Sequence, residues 1–284
     1  MKRRIEIFEV GPRDGLQNEA ATIPTADKIA LVDLLSTAGF SRIEVASFVS
    51  PKWVPQMADS AQVLAGINRN SKISYAALTP NLHGYERAID AKADEIAIFA
   101  SASEGFSQAN INCSISDSLD RFHPVAKAAH AANVKLRGYV SCVTDCPYDG
   151  PTSPKQVADV ARTLFDMGCY EISLGDTIGQ ATRHTTSAML DAVLTHLPAT
   201  QLAGHFHDTK HRALENIDAS LALGLRVFDA AVGGLGGCPF APGAAGNVAT
   251  ELVNTHLTEL GYETRLSQDV LESAADMAKT MRGK

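Results

Sequence analysis

No apolar run in this 284-residue sequence approaches the roughly 20 residues that a membrane-spanning helix needs. No apolar stretch long enough for a secretory signal stands before the first strand-like segment, at 5–10, so a cytoplasmic protein is expected. An excess of positive charge is also missing. The formal net charge is −7, which offers no global field to recruit nucleic acid or an anionic membrane. An anionic small molecule must then be held by local cations and backbone N–H donors. Cysteine is sparse and odd in number, at five. Cys142 and Cys146 resemble half of a metal site, but no second Cys/His pair follows at zinc-finger spacing, so free, buried thiols are expected there. Two phosphate-binding signatures are absent as well. Gly11-Pro12-Arg13-Asp14-Gly15 stands after the first strand where a dinucleotide fold carries Gly-x-Gly-x-x-Gly, and no Gly-Lys-Ser/Thr follows the glycine-rich stretch around Cys238.

What is present is alternation. Short β-branched runs at 5–10, 42–48, 73–79, 95–100, 135–141, 170–175, 202–207 and 227–232 read as strands. Longer helical patterns lie between and after them, among them 26–38, 119–132, 154–167, 185–197, 212–223 and 247–260. Eight β-then-α units predict a (β/α)8 TIM barrel, with a further C-terminal helix over 268–281 packed on it and residues 1–284 forming one catalytic domain. Thr25 and Ser153 are the expected N-caps, the latter followed by Pro154. Gly39 and Gly168 are the expected helix C-terminal glycines.

Active sites of such barrels sit at the C-terminal strand ends. The polar residues fall there. The first strand runs into Arg13-Asp14, the second holds Glu44 among Ile43, Val45 and Ala46, and the sixth ends in Asp176-Thr177. The seventh is Gly204-His205-Phe206-His207-Asp208, and the eighth leads into a glycine-rich loop holding Cys238 and ending at Gly246-Asn247. Strand side chains alternate, so His205 and His207 point one way and Phe206 the other. Two imidazoles aimed at the barrel mouth, with Asp14 across from them, favour a divalent metal over a solvated strand end. The mixed N/O donor set suits Mg2+ or Mn2+, with Zn2+ and Co2+ left open. Arg13 reads equally as a structural ion pair and as a clamp for a developing enolate or carboxylate. A charged Glu44 inside an apolar strand is either paired or functional. Cys238 belongs either to a plain flexible loop or to a lid that delivers a proton. The loop from Ser47 to Gln56 carries Trp53, which reads equally as core support and as a substrate contact. Lys52 reads as a solvated lysine or as a partner for CoA phosphates.

These motifs resemble one family. Val10-Gly11-Pro12-Arg13-Asp14-Gly15-Leu16-Gln17-Asn18-Glu19, Ser47 through Gln56, Asn110-Ile111-Asn112-Cys113-Ser114-Ile115, Ser173-Leu174-Gly175-Asp176-Thr177-Ile178-Gly179 and Gly233 through Asn247 are similar to the 3-hydroxy-3-methylglutaryl-CoA lyases, from about Ile5 to Tyr262. The resemblance implies a metal-dependent carbon–carbon lyase acting on an acyl-CoA, in a homodimer. It implies Asp14, His205, His207 and Asn247 as metal ligands and Arg13 as the enolate stabiliser. It places Cys238 on a mobile catalytic loop, and makes Glu44 and Asp176 acids that act in, or order, the site. Asp14, Glu44 and His205 are the candidates for the base. Related synthases share the Arg-Asp start and His-x-His strand but lack the Gly-Gly-Cys-Pro loop. The same chemistry on citramalyl-CoA or an isoprenoid-derived 3-hydroxyglutaryl-CoA is the near alternative, and a catalytically silent acyl-CoA-binding barrel the distant one. Metal hydrolases commonly place His-x-His on their first strand, not the seventh. Three departures from the family pattern stand out. Lys210-His211-Arg212 replaces Tyr-Gly-Gln, Phe206 replaces a frequent Cys, and the sequence ends in Arg282-Gly283-Lys284 without the cysteine or peroxisomal signal of some eukaryotic relatives.

Overall fold

The structure is a computed structural model that describes residues 4–236 and 246–283. Eight strands pair in parallel: β1 (Glu6–Glu9), β2 (Arg42–Ser47), β3 (Ser74–Leu78), β4 (Glu95–Ser101), β5 (Lys135–Ser141), β6 (Glu171–Asp176), β7 (Leu202–Phe206) and β8 (Val227–Ala230). β8 returns to pair with β1, with Glu6 opposite Val227 and Glu9 opposite Ala230, so the sheet closes into a barrel. The expected fold is therefore present. Closure abolishes sheet edges, and the intervening helices cover the outer face.

Helix starts and stops follow local chemistry. Ser114 and Asp117 form a reciprocal capping box at the head of α5 (Ile115–Ala131), and Thr182 with Thr185 does the same for α7 (Arg183–Leu194). Gly39 (φ 107°) and Gly168 (φ 97°) end helical runs in the left-handed region, as their positions predicted. The two expected caps differ. Pro24, not Thr25, occupies the cap of α1 (Thr25–Leu35), and the Thr25 hydroxyl donates to Asp59 at 2.7 Å. Ser153 does stand at the cap of α6 (Pro154–Asp166), but its side chain makes no capping bond. The helix expected from Asn247 begins at Thr250, as α9 (Thr250–Glu259), because Asn247 instead forms a bridge with His207. The last helix, α10 (Gln268–Arg282), packs on α1 and against the turn after β8.

Barrel interiors are usually filled by branched apolar side chains. Here a charged stack runs up the middle. Arg42 pairs with Glu6 at 2.7 Å and Glu171 at 2.9 Å, and Arg137 pairs with Glu171 and Asp229, each at 2.7 Å. The Phe8 ring packs against both guanidinium groups, 4.7 Å from Arg42 and 4.5 Å from Arg137. Arg137 is fully buried. Removing one member of such a pair strands its partners in low dielectric. Arg137→Ala is expected to cost about 3–5 kcal/mol of folding free energy. Urea titration followed by circular dichroism checks this. A cost well under 1 kcal/mol would mean that water enters and screens Glu171 and Asp229.

Candidate active site

The chain leaves β1 through a single turn of π-helix, Gly11–Gly15, in which the Val10 carbonyl accepts the amides of Arg13, Asp14 and Gly15. This turn swings Arg13 and Asp14 over the mouth. Arg13 is nearly buried, and its guanidinium spans two carboxylates. Nη1 meets Asp14 Oδ1 at 2.6 Å, while Nε and Nη2 meet Glu44 Oε2 at 2.6 and 2.5 Å. The Tyr139 hydroxyl donates to the same Glu44 oxygen at 3.1 Å. The two readings of Arg13, ion pair and clamp, thus coexist in one side chain. Glu44 is fully buried, and burial pushes its carboxyl up while Arg13 pulls it back.

His205 and His207 face the mouth from β7 and the residue after it, with ring centroids 5.4 Å apart, while Phe206 is buried in the core as alternation requires. Asp14, His205 and His207 each offer a ligand atom, and these atoms lie within 4.8 Å of one another. His205 Nδ1 hydrogen-bonds Asp229 Oδ2 at 3.2 Å, which leaves Nε2 facing Asp14 Oδ2 at 3.9 Å. Asn247 donates from Nδ2 to Asp14 Oδ2 at 2.8 Å and to the Leu235 carbonyl at 3.3 Å. Two buried polar atoms in this cluster have no hydrogen-bond partner: His207 Nδ1 and Asn247 Oδ1. Stranded buried polar atoms are costly unless something binds them. A carboxylate, two imidazoles and an amide oxygen form a donor set suited to a divalent cation. Electrostatics agree. Burial raises the Asp14 carboxyl, but Arg13, His205, His207 and the Asn247 bond outweigh it and hold the group ionised, at about 2. Burial and the neighbouring His205 lower His207 to about 4, so its imidazole is neutral and available as a ligand.

Above the cluster opens a cleft of about 1130 Å3, lined by Arg13, Asp14, His205 and His207, by Phe106, Asn110 and Asn112, and by Val49, Ser50 and the stretch from Trp53 to Gln56; Lys52 is exposed and does not line it. Trp53 lines this cleft and is 87% exposed, so it is not core support. Lys210, His211 and Arg212 are exposed and none lines the cleft. This departure from the family pattern therefore puts its positive charge on the surface.

The structure sets Asp176 apart. In register it sits beside Phe206, on the outward face, whereas Gly175 sits beside His205. Its oxygens accept the backbone amides of Gln180 (3.1 Å) and Ala181 (3.0 Å) and the Thr144 hydroxyl (3.3 Å). Burial outweighs these bonds and raises it to about 6. Asp176 thus orders the loop into α7 rather than standing among the groups on the mouth. Cys238 lies outside the described residues. Three residues outside every motif also support the site: Asp229, Arg137 and Tyr139. The signal that flagged Glu44, a charged residue inside an apolar strand, is equally present in Val227-Phe228-Asp229-Ala230 and in Leu136-Arg137-Gly138.

Comparison with known proteins agrees with this geometry. The HMGL-like family model matches residues 4–278. A Pseudomonas aeruginosa protein named 3-hydroxy-3-isohexenylglutaryl-CoA/hydroxy-methylglutaryl-CoA lyase is 56% identical over all of this chain and 95% of its own. The HMG-CoA lyase of Brucella melitensis superposes with a TM-score of 0.98 at 59% identity, covering 99% of this chain and 100% of that one. An HMG-CoA lyase from Acinetobacter baumannii, solved with coenzyme A and 3-methylmalate, gives a TM-score of 0.94 at 38% identity, covering 99% and 92%. With the barrel, the Arg-Asp turn and the His-x-His strand in place, the chain belongs to the HMGL-like family.

Proposed function

We propose that this protein is a divalent-metal-dependent lyase that cleaves 3-hydroxy-3-methylglutaryl-CoA to acetoacetate and acetyl-CoA. The observation that carries the reading is the trio of Asp14, His205 and His207 with Arg13 beside it, all lining the cleft. Relatives at more than half identity bear this activity in their names, and a more distant one was solved with coenzyme A.

Asp14, His205, His207 and the free Oδ1 of Asn247 would hold the cation, Mg2+ or Mn2+ by donor type. Bound there, it supplies Lewis acidity that lowers the pKa of the tertiary hydroxyl of the substrate. Asp14 and His205 line the cleft, whereas Glu44 does not and touches it only through Arg13 and Tyr139. The hydroxyl proton would then pass to Asp14, on an oxygen not committed to the cation; His205 has Nδ1 on Asp229 and Nε2 as its ligand atom, so it has no lone pair to spare, and Glu44 acts by fixing the guanidinium. As the C–C bond breaks, its electron pair becomes the enolate of acetyl-CoA and the alkoxide becomes the ketone of acetoacetate. Arg13 is aimed at that enolate and is held between two carboxylates before the reaction begins, so no reorganisation is needed when charge develops. A proton from Cys238 or water then completes the acetyl group.

The test is product analysis with a panel of 3-hydroxy-3-methylglutaryl-CoA, citramalyl-CoA and 3-hydroxy-3-isohexenylglutaryl-CoA, after chelation and after adding back Mg2+ or Mn2+. Acetoacetate is expected from the first, abolished by chelation and restored by either cation. No cleavage of it, with turnover of another panel member, would reassign the acyl group. No cleavage of any would favour a silent binding barrel.

A further inference from the structure

We infer that Glu9 is a positioning residue for the metal site, its one carboxylate tying the turn that carries Arg13 and Asp14 to the segments that deliver Asn247. This rests on the metal-ligand reading above. Glu9 ends β1, is fully buried and has no ion-pair partner among the described residues. Burial raises it to about 7 against the pull of its hydrogen bonds. An acid placed so unfavourably needs donors to replace water, and it has three. Oε1 accepts the Gly11 amide at 2.8 Å and the Val232 amide at 3.0 Å, and Oε2 accepts the Thr250 hydroxyl at 2.7 Å.

Those donors come from three separate segments. Gly11 opens the Arg13–Asp14 turn. Val232 opens the short 3-10 turn leading to Leu235, whose carbonyl holds the Asn247 amide. Thr250 starts α9, three residues past Asn247. The fit is close on the first side. A Cβ at position 11 would lie 2.5 Å from Glu9 Oε1, so a larger residue there would push the carboxylate out of this position. Asp14 and Asn247 touch each other at 2.8 Å, and Glu9 is the group that fixes the roots of both. Shifting either root moves two ligands relative to the histidines of β7.

The role needs acceptor oxygens at the right reach, not a charge. Glu9→Gln keeps one oxygen for the two amides and offers its NH2 to a Thr250 lone pair. Glu9→Ala removes all three bonds, and Glu9→Asp, one methylene shorter, cannot span them. The experiment is Mn2+ titration calorimetry on the full chain, well below unfolding, with amide hydrogen exchange of residues 11–15 and 232–236 in the metal-free protein. Glu9→Ala and Glu9→Asp should bind Mn2+ roughly 10–100-fold more weakly per folded molecule, as loss of ligand support typically does. Exchange should rise in both segments together, and Glu9→Gln should stay near the unsubstituted chain in both measurements. A merely structural role would lower the melting temperature and leave Mn2+ affinity unchanged. Unchanged affinity in both shortened variants, or faster exchange in only one segment, would overturn the inference. Should Glu9→Ala not fold, Glu9→Asp and Thr250→Val carry the test. Should the unsubstituted chain bind no Mn2+, the ligand reading fails by itself, and the exchange arm still decides whether Glu9 couples the segments.

Discussion

A His205→Ala/His207→Ala double variant should lose its bound cation and its lyase activity while retaining a cooperative fold. The two imidazoles supply both nitrogen donors of the cluster, and Asp14 with Asn247 cannot replace them from the other side of the mouth. Altering outer-shell support alone typically weakens metal binding by roughly 10–100-fold, so deleting two ligands should exceed 100-fold. The fold should survive because the side chains removed end at the mouth. Asp229, which would lose its bond to His205, remains paired with Arg137 at 2.7 Å and still accepts the Ser173 hydroxyl at 2.7 Å. Metal content after dialysis, measured by mass spectrometry beside a thermal melt, checks both halves. Stoichiometric cation in the folded double variant would show that the site lies elsewhere.

His205 and His207 were legible in the sequence because a strand repeats every two residues, so a tripeptide is enough to state which side chains share a face. The barrel was legible for the same reason, from apolar runs of strand length separated by runs of helix length. Element ends were less so. Asn247 carries ordinary helix-neighbour chemistry, and only a tertiary bridge to His207 stops the helix short of it. Asp176 shows the opposite limit. It is one residue from the inward position, and a one-residue offset on a strand reverses the face, so its placement turns on register with β7. The buried stack of Arg42, Arg137, Glu171 and Asp229 was hidden because its partners lie 34 to 129 residues apart in the chain. Arg42 and Glu171 each look like an ordinary polar residue at a strand start, and Arg137 and Asp229 show a charge inside an apolar strand without showing which residue pairs with it. Glu9 carries no motif of its own within the first strand, and its role is argued from the three donors around it.

Arg13→Lys should fold, bind acyl-CoA with little change in KM, and turn over on the order of 10²-fold more slowly or worse. Lysine keeps the charge, so the comparison isolates geometry. The arginine fork reaches Glu44 through Nε and Nη2 and Asp14 through Nη1 at once, which sets the plane of the guanidinium before substrate arrives. An ammonium is a compact point charge on a flexible stem. It can follow Glu44 or Asp14 but cannot hold both at 2.5 to 2.6 Å while presenting further donors to an enolate. Ground-state binding is expected to survive because the enolate charge does not yet exist in the bound thioester, so a loss confined to kcat marks a transition-state role. A Glu44→Gln companion separates aim from charge. Glutamine leaves Arg13 charged but replaces the ionic partner with a neutral acceptor, so kcat should fall by less than in Arg13→Lys if the guanidinium is the acting group. Steady-state kinetics on both variants, with Mn2+ saturating, gives the comparison. If Arg13→Lys keeps a near-normal kcat, the Arg13–Glu44 pair is architecture, and the enolate charge is met elsewhere in the cluster.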